Sequence, residues 1–225
     1  MGKTKDIIST SCDNGGTVTF KFKDDACGEN GTFDPGANQV ACQIDGMGRA
    51  SLLLSQHFFT LLRQKGIPNH FRSIDPEAGT MTCTRLTIFK VEFIWRSKAW
   101  GSFCKAYGVE QGYPLGEGLI ETTLKDDALG DPRANKDTCV LLGKITADQY
   151  DRCASATKEI AKVLVEELDK HNYDLIDFKI ECGVDDEGNI ILGDEISPAS
   201  WRILDRITGA IAAPLDAARR ILGWK

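Results

Sequence analysis

The chain has 225 residues, of which 42% are hydrophobic and 27% charged, and a formal net charge of −6. That length suits one large domain or two small lobes around a shared cleft, and the composition is that of a globular rather than a disordered or fibrous chain. An acidic chain with no basic stripe is a poor match for a nucleic-acid backbone, although a few local cations can still hold a small anionic ligand. No apolar run approaches the roughly 20 residues needed to cross a bilayer, and the N-terminus lacks the apolar core of a secretory signal, so a cytoplasmic protein with no membrane partner is expected. The eight cysteines form no C-x-x-C pair, and with three histidines they make no zinc pattern. They read as reduced, mostly packed thiols.

Residues 14–48 are rich in Gly, Asp and Asn. Within them Val18, Phe20 and Phe22 alternate with Thr17, Thr19, Lys21 and Lys23, the period of a half-buried strand. Residues 24–48 read as a long loop. From Arg49 to Lys65, Leu54, Phe58, Leu61 and Leu62 recur at helical spacing, and Gly66 with Pro68 stops the helix. Thr80 to Trp95 reads as one or two strands, and Gly112 to Gly118 as a turn. A helix is predicted from about Ala147 to Lys170, opened by a capping box of Thr146 and Gln149. Strands follow at 174–182 and 189–195 with a hairpin turn between them, and Pro214 starts a last helix. Strands first, then mixed helices and strands, argue for an α+β fold with a cleft. Trp95, Trp100 and Trp201 read as core residues.

Alternation along 175–183 sends Ile176, Phe178 and Ile180 one way and Asp177, Lys179 and Glu181 the other. Alone, such a face is as well explained by solvent. A four-residue turn at 185–188 would bring Asp194 opposite Lys179 and diagonal to Glu181. Two carboxylates beside a lysine suit a divalent cation carrying a nucleotide triphosphate, because Mg²⁺ takes one or two carboxylates and completes its shell with phosphate and water. Lys3 and Lys5 lie on one face of a short strand and can meet phosphates, or belong to a frayed basic terminus. Arg96, Lys98 and Ser102, around a glycine, are a candidate phosphate cradle, or exposed cations at a strand end.

Together these segments resemble SAICAR synthetase, over nearly the whole chain. Gly-Lys-Thr-Lys at 2–5 is similar to the family's Gly-Lys-Ala-Lys, and FKDDACGENG at 22–31 to its acidic-glycine loop. Glu92, Arg96, Gly101 and Ser102 fit its Glu-x-x-x-Arg-x-x-x-x-Gly-Ser motif. LKDDALGDP at 124–132, DFKIECG at 177–183 and GDEISP at 193–198 resemble three further motifs in the family's order. The resemblance implies a two-lobed, ATP-grasp-like fold, with a nucleotide-binding lobe at 1–88 and a metal- and substrate-binding lobe at 89–225. It implies an ATP- and Mg²⁺-dependent ligase of purine biosynthesis that joins carboxyaminoimidazole ribotide to L-aspartate through an acyl phosphate. It further implies ATP contacts from Lys3, Lys5, Arg85, Leu86, Thr87 and Lys125, and metal ligation by Glu181 and Asp194. Arg96, Ser102 and Arg202 would hold the ribotide phosphate. Lys179 and Asp177 would lie near the reacting carboxylate, and Lys125 and Asp131 near nucleotide or aspartate. A homo-oligomer is compatible with all of this.

The sequence departs from the family pattern at Trp100, Cys182, Leu204, the segment 47–52, and Ala199, where an Asp is usual. If Ala199 and 47–52 line the substrate pocket, they favour a related amide ligase with another carboxylate or amine; a nucleotide-binding module without activity is the third reading. With aspartate as the amine, an acid of the glycine-rich loop, Asp24, Asp25 or Glu29, would take over from the missing Asp.

Overall fold

The computed structural model describes residues 2–12, 16–29, 31–37 and 39–224; Asn30 of the acidic-glycine stretch lies outside them. β1 (Lys5–Ser11) pairs antiparallel with β2 (Thr17–Phe22), the strand predicted from alternation. The stretch expected as a loop instead holds β3 (Asp25–Glu29), β4 (Thr32–Phe33) and β5 (Val40–Gln43), a small sheet in the order β4-β3-β5. Its strands hide from a pattern search because Ala26, Cys27 and Gly28 are buried in succession, without alternation. α1 (Met47–Gln64) starts two residues before the expected Arg49 and buries Leu52, Leu54, Phe58, Phe59 and Leu62. β6 (Phe71–Asp75) and β7 (Thr80–Thr84) complete the first sheet, β1-β2-β7-β6.

β8 (Thr87–Lys98) runs through the boundary expected at 88, so that boundary falls inside a strand. After α2 (Ser102–Tyr107), β9 (Pro114–Leu124) starts within the glycines expected to be a turn. α3 (Lys136–Leu141) leads to α4 (Ala147–Asp169), whose Thr146–Gln149 capping box is formed as predicted. β10 (Tyr173–Val184) is the central strand of the second sheet. It pairs with β8 along one edge; along the other it pairs with β11 (Ile190–Leu192) at its end and β12 (Trp201–Asp205) at its start. α5 (Pro214–Leu222) is the last helix. One apolar cluster runs from Val18 and Phe22 through Phe58, Phe93, Leu164 and Ile180 to Ile221.

Val184 pairs with Ile190, one residue later than the expected turn allows, so Asp194 does not face Lys179 across a ladder. It lies beyond β11 in a left-handed conformation, φ 61°, which an aspartate adopts more readily than most side chains. All eight cysteines are free thiols, and Trp95 and Trp201 are buried as expected. Among the described residues no helix is long and apolar enough to cross a membrane.

Gly183 shows why the strand carrying the charged residues has a glycine next to its end. A β-carbon there would lie 2.6 Å from the Thr87 carbonyl oxygen, in the backbone of β8. Gly183→Ala should destabilise the protein by about 1–3 kcal/mol, the range of overpacking in a filled core. Chemical denaturation checks this; an unchanged midpoint would show that β8 yields without strain.

Candidate active-site cleft

The elements border a cleft of about 1180 Å³, lined by residues from β1, β2, β8, β9, β10 and the segments around 35, 130, 195 and 200. β10 contributes Asp177, Lys179 and Glu181 to it, as alternation predicts. Each is matched by an opposite charge from a distant part of the chain. Lys179 Nζ donates to Glu92 Oε1 at 2.6 Å, and Glu92 Oε2 accepts from Thr123 Oγ1 at 2.7 Å. Lys125 Nζ pairs with Glu181. Lys5 Nζ lies 2.6 Å from both Asp194 Oδ1 and Glu195 Oε1, and Thr4 Oγ1 donates to the same Glu195 oxygen at 2.9 Å.

These pairings fix the charges. Burial alone would push the lysines down, yet Asp194 and Glu195 beside Lys5, and Glu92 beside Lys179, hold both ammonium groups above the ordinary lysine range. Burial would raise Asp194 as well, but Lys5 and Lys125 keep it below the ordinary carboxylate range. Glu181 goes the other way: burial, then the neighbouring Asp194 charge, pushes it up to about 6. A dication between these two carboxylates would relieve that repulsion, so the pair fits Mg²⁺. Among the described residues no group of three or more His, Cys, Asp or Glu is placed to hold a metal ion.

At the other end of the cleft two buried guanidinium groups converge. Arg96 Nη1 and Arg202 Nη1 donate to the same Asp177 oxygen, at 2.5 and 2.8 Å. Arg96 Nε donates to Glu121 at 2.6 Å, and Glu121 also accepts from Arg133 at 3.1 Å. Arg202 Nε and Nη2 reach Asp34 Oδ1 at 3.1 and 2.5 Å. Asp177 therefore faces two arginines, and stands two residues along the strand from Lys179. The bulge where β10 meets β12 brings Arg202 opposite it.

The remaining expected residues divide. Ser102 lines the cleft and its carbonyl accepts from Arg133 at 2.8 Å. Lys3 pairs with Asp127 at 2.7 Å. Arg85 and Leu86 line the wall, whereas exposed Thr87 does not. Asp131 lines the cleft and accepts from the Asp126 N–H at 2.8 Å. The segment 47–52 does not line the cleft; it lies in α1, with Met47, Ala50 and Leu52 buried. Ala199 does line the cleft. The acids expected to replace its carboxylate are engaged elsewhere: Asp24 with the Gly48 N–H, Asp25 with Gln43 and Lys23, Glu29 with Lys105. Glu195, Glu121, Asp34 and His70 escape a reading of the sequence. Only Glu195, adjacent to Asp194 in a motif, carries a local signal.

Comparison with known proteins shows similarity over nearly the whole chain. The sequence profile of SAICAR synthetase matches residues 1–217. A phosphoribosylaminoimidazole-succinocarboxamide synthase of Clostridium tetani is 39% identical, with 98% of this chain and 97% of that protein aligned. One from Finegoldia magna is 37% identical over 99% and 91%. A solved SAICAR synthetase in complex with ADP superposes with a TM-score of 0.87 at 30% identity, covering 99% of this chain and 97% of that one. The SAICAR synthetase of Pyrococcus horikoshii gives 0.84 at 28%, covering 97% of each.

His70 supports the backbone at Asp194 from behind. Its Nε2 lies 3.0 Å from the Asp194 carbonyl oxygen, which can only accept, so Nε2 carries a proton. Burial lowers its pKa from 6.5 to about 4. The folded state thus resists a proton that the unfolded chain accepts, and this contribution to stability is lost as pH falls from 6.5 toward 4. Nitrogen NMR of the imidazole should show the neutral Nε2–H tautomer down to about pH 5; a midpoint near the ordinary histidine value would contradict the burial argument.

Proposed function

This chain belongs to the SAICAR synthetase family, and we propose that it is the ATP-dependent amide ligase of purine biosynthesis that joins carboxyaminoimidazole ribotide to L-aspartate, giving SAICAR, ADP and phosphate. The observation that carries this reading is one cleft with a lysine-carboxylate cluster at one end and an arginine pair at the other. The first is suited to a polyphosphate and the second to a phosphorylated substrate.

A carboxylate is a poor electrophile until one of its oxygens becomes a leaving group. In the proposed reaction a ribotide carboxylate oxygen attacks the γ-phosphorus of ATP, ADP leaves, and an acyl phosphate forms. The aspartate amine attacks its carbonyl carbon, phosphate departs with the carbon–oxygen bond's electrons, and the amine loses a proton as the amide forms. Positioning and charge neutralisation provide most of the acceleration. We assign Lys3, Lys5 and Lys125 to the ATP phosphates, with Arg85 and Leu86 along the nucleotide, and Lys179 to the oxygens on which charge develops. Arg96, Arg202 and Ser102 hold the ribotide phosphate. Asp177 orients both guanidinium groups, and Asp131 shapes the loop at the aspartate side. Glu181 and Asp194 would hold Mg²⁺, which when bound neutralises phosphate charge and fixes the polyphosphate for transfer. We further read residues 1–88 as a nucleotide lobe and the rest as a substrate lobe, in an ATP-grasp-like arrangement, working in the cytoplasm.

Incubation with ATP, Mg²⁺, the ribotide and a panel of amino acids, read by mass, tests the function. The expected amide contains L-aspartate; an amide with another amine and none with aspartate would replace this reading by that of a related ligase, for which only Ala199 now speaks. Glu181→Ala and Asp194→Ala should each lower ADP release by at least about 100-fold, the scale of losing one preorganised electrostatic group, with an unchanged circular-dichroism spectrum. Near-normal release in both would remove the metal assignment.

A further inference from the structure

Arg202 has two hydrogen-bonding edges directed at protein carboxylates. Its Nη1 faces Asp177, and its Nε–Nη2 edge, the one suited to a forked contact with an oxyanion, is taken by Asp34 at 3.1 and 2.5 Å. The two acids differ in their freedom. The Asp177 side chain is 5% exposed and anchored on a central strand; the Asp34 side chain is 39% exposed and sits in the connection between β4 and β5. The same connection packs its backbone against Arg202: a β-carbon at Gly36 would run into the guanidinium. An anion arriving at this edge must therefore displace Asp34, not Asp177.

We propose that Asp34 is a specificity-determining residue, an internal anion that competes with the ribotide phosphate for Arg202. This rests on the assignment of Arg202 to that phosphate. A monoanionic ligand that replaces Asp34 exchanges one carboxylate-like contact for another and gains little. A phosphate dianion brings the larger charge and wins the edge, so Asp34 raises the threshold for entry and selects phosphorylated ligands. Once displaced, the 34–37 segment gives up its contact with the arginine as the substrate takes its place.

The test is calorimetric titration of carboxyaminoimidazole ribotide into the protein without ATP, together with KM values in the full reaction. Asp34→Asn should tighten ribotide binding by roughly tenfold, the lower end of what a charge-assisted contact contributes, and lower KM for the ribotide while leaving KM for ATP in place. Asp34→Glu should restore much of the competition. Gly36→Ala, which drives the segment off the guanidinium without touching a charge, should shift binding in the same direction as Asp34→Asn. Arg202→Ala separates the two claims. Unimpaired ribotide binding by Arg202→Ala would overturn the assignment of the phosphate site itself. Loss of binding in Arg202→Ala combined with unchanged or weaker binding in Asp34→Asn would overturn the competition alone and make Asp34 a support for the arginine.

Discussion

Three ionisable side chains on one face of a buried central strand set the terms for the rest of this molecule. Asp177, Lys179 and Glu181 leave water when β10 is sandwiched between β8 and the β11–β12 edge, and an unpaired charge in such a place costs several kcal/mol. Every one of them is answered: Asp177 by Arg96 and Arg202, Lys179 by Glu92, Glu181 by Lys125. The answering residues come from β8, β12 and the segment after β9, and Lys5 of β1 closes the set on Asp194 and Glu195. The cleft can therefore assemble only when the N-terminal sheet, the central sheet and the segment after β11 are all in place.

Such a lattice is poorly suited to raising stability, because desolvation consumes most of the Coulombic gain. It is well suited to receiving polyanions. Each lysine and arginine is held in position by a carboxylate before substrate arrives, so little reorganisation is needed when phosphate oxygens take over part of its charge. The raised Glu181 marks a place where like charges are crowded, beside Asp194, and this is the pair proposed above for a dication. Departures from the family pattern respect this division. Those in α1 do not line the cleft, whereas Ala199 opens the cleft wall without removing any of the paired charges.

How much of this is legible in the sequence follows from the range of the forces involved. The β2 alternation, the capped α4 helix and the charged face of β10 are local patterns, and each is found where the sequence places it. The β3–β5 sheet is not, since its buried run of Ala26, Cys27 and Gly28 has no period. The expected Asp194 position is off by a single residue of turn length, which sequence alone does not resolve. Partners separated by more than a hundred residues, such as Asp34 and Arg202, leave no local trace. The contact of Asp177 with Arg202 is hidden as well, since Arg202 comes opposite it through a strand bulge.

In the reaction proposed for it, the cleft activates a carboxylate by phosphorylation. Ribotide labelled with ¹⁸O in its carboxylate, turned over with ATP and L-aspartate, tests this most directly. An acyl phosphate requires one labelled oxygen to leave with the phosphate, so the inorganic phosphate should carry a single ¹⁸O while the amide retains the other. Unlabelled phosphate alongside amide formation would contradict the mechanism and, with it, the role of the paired lysines in phosphoryl transfer.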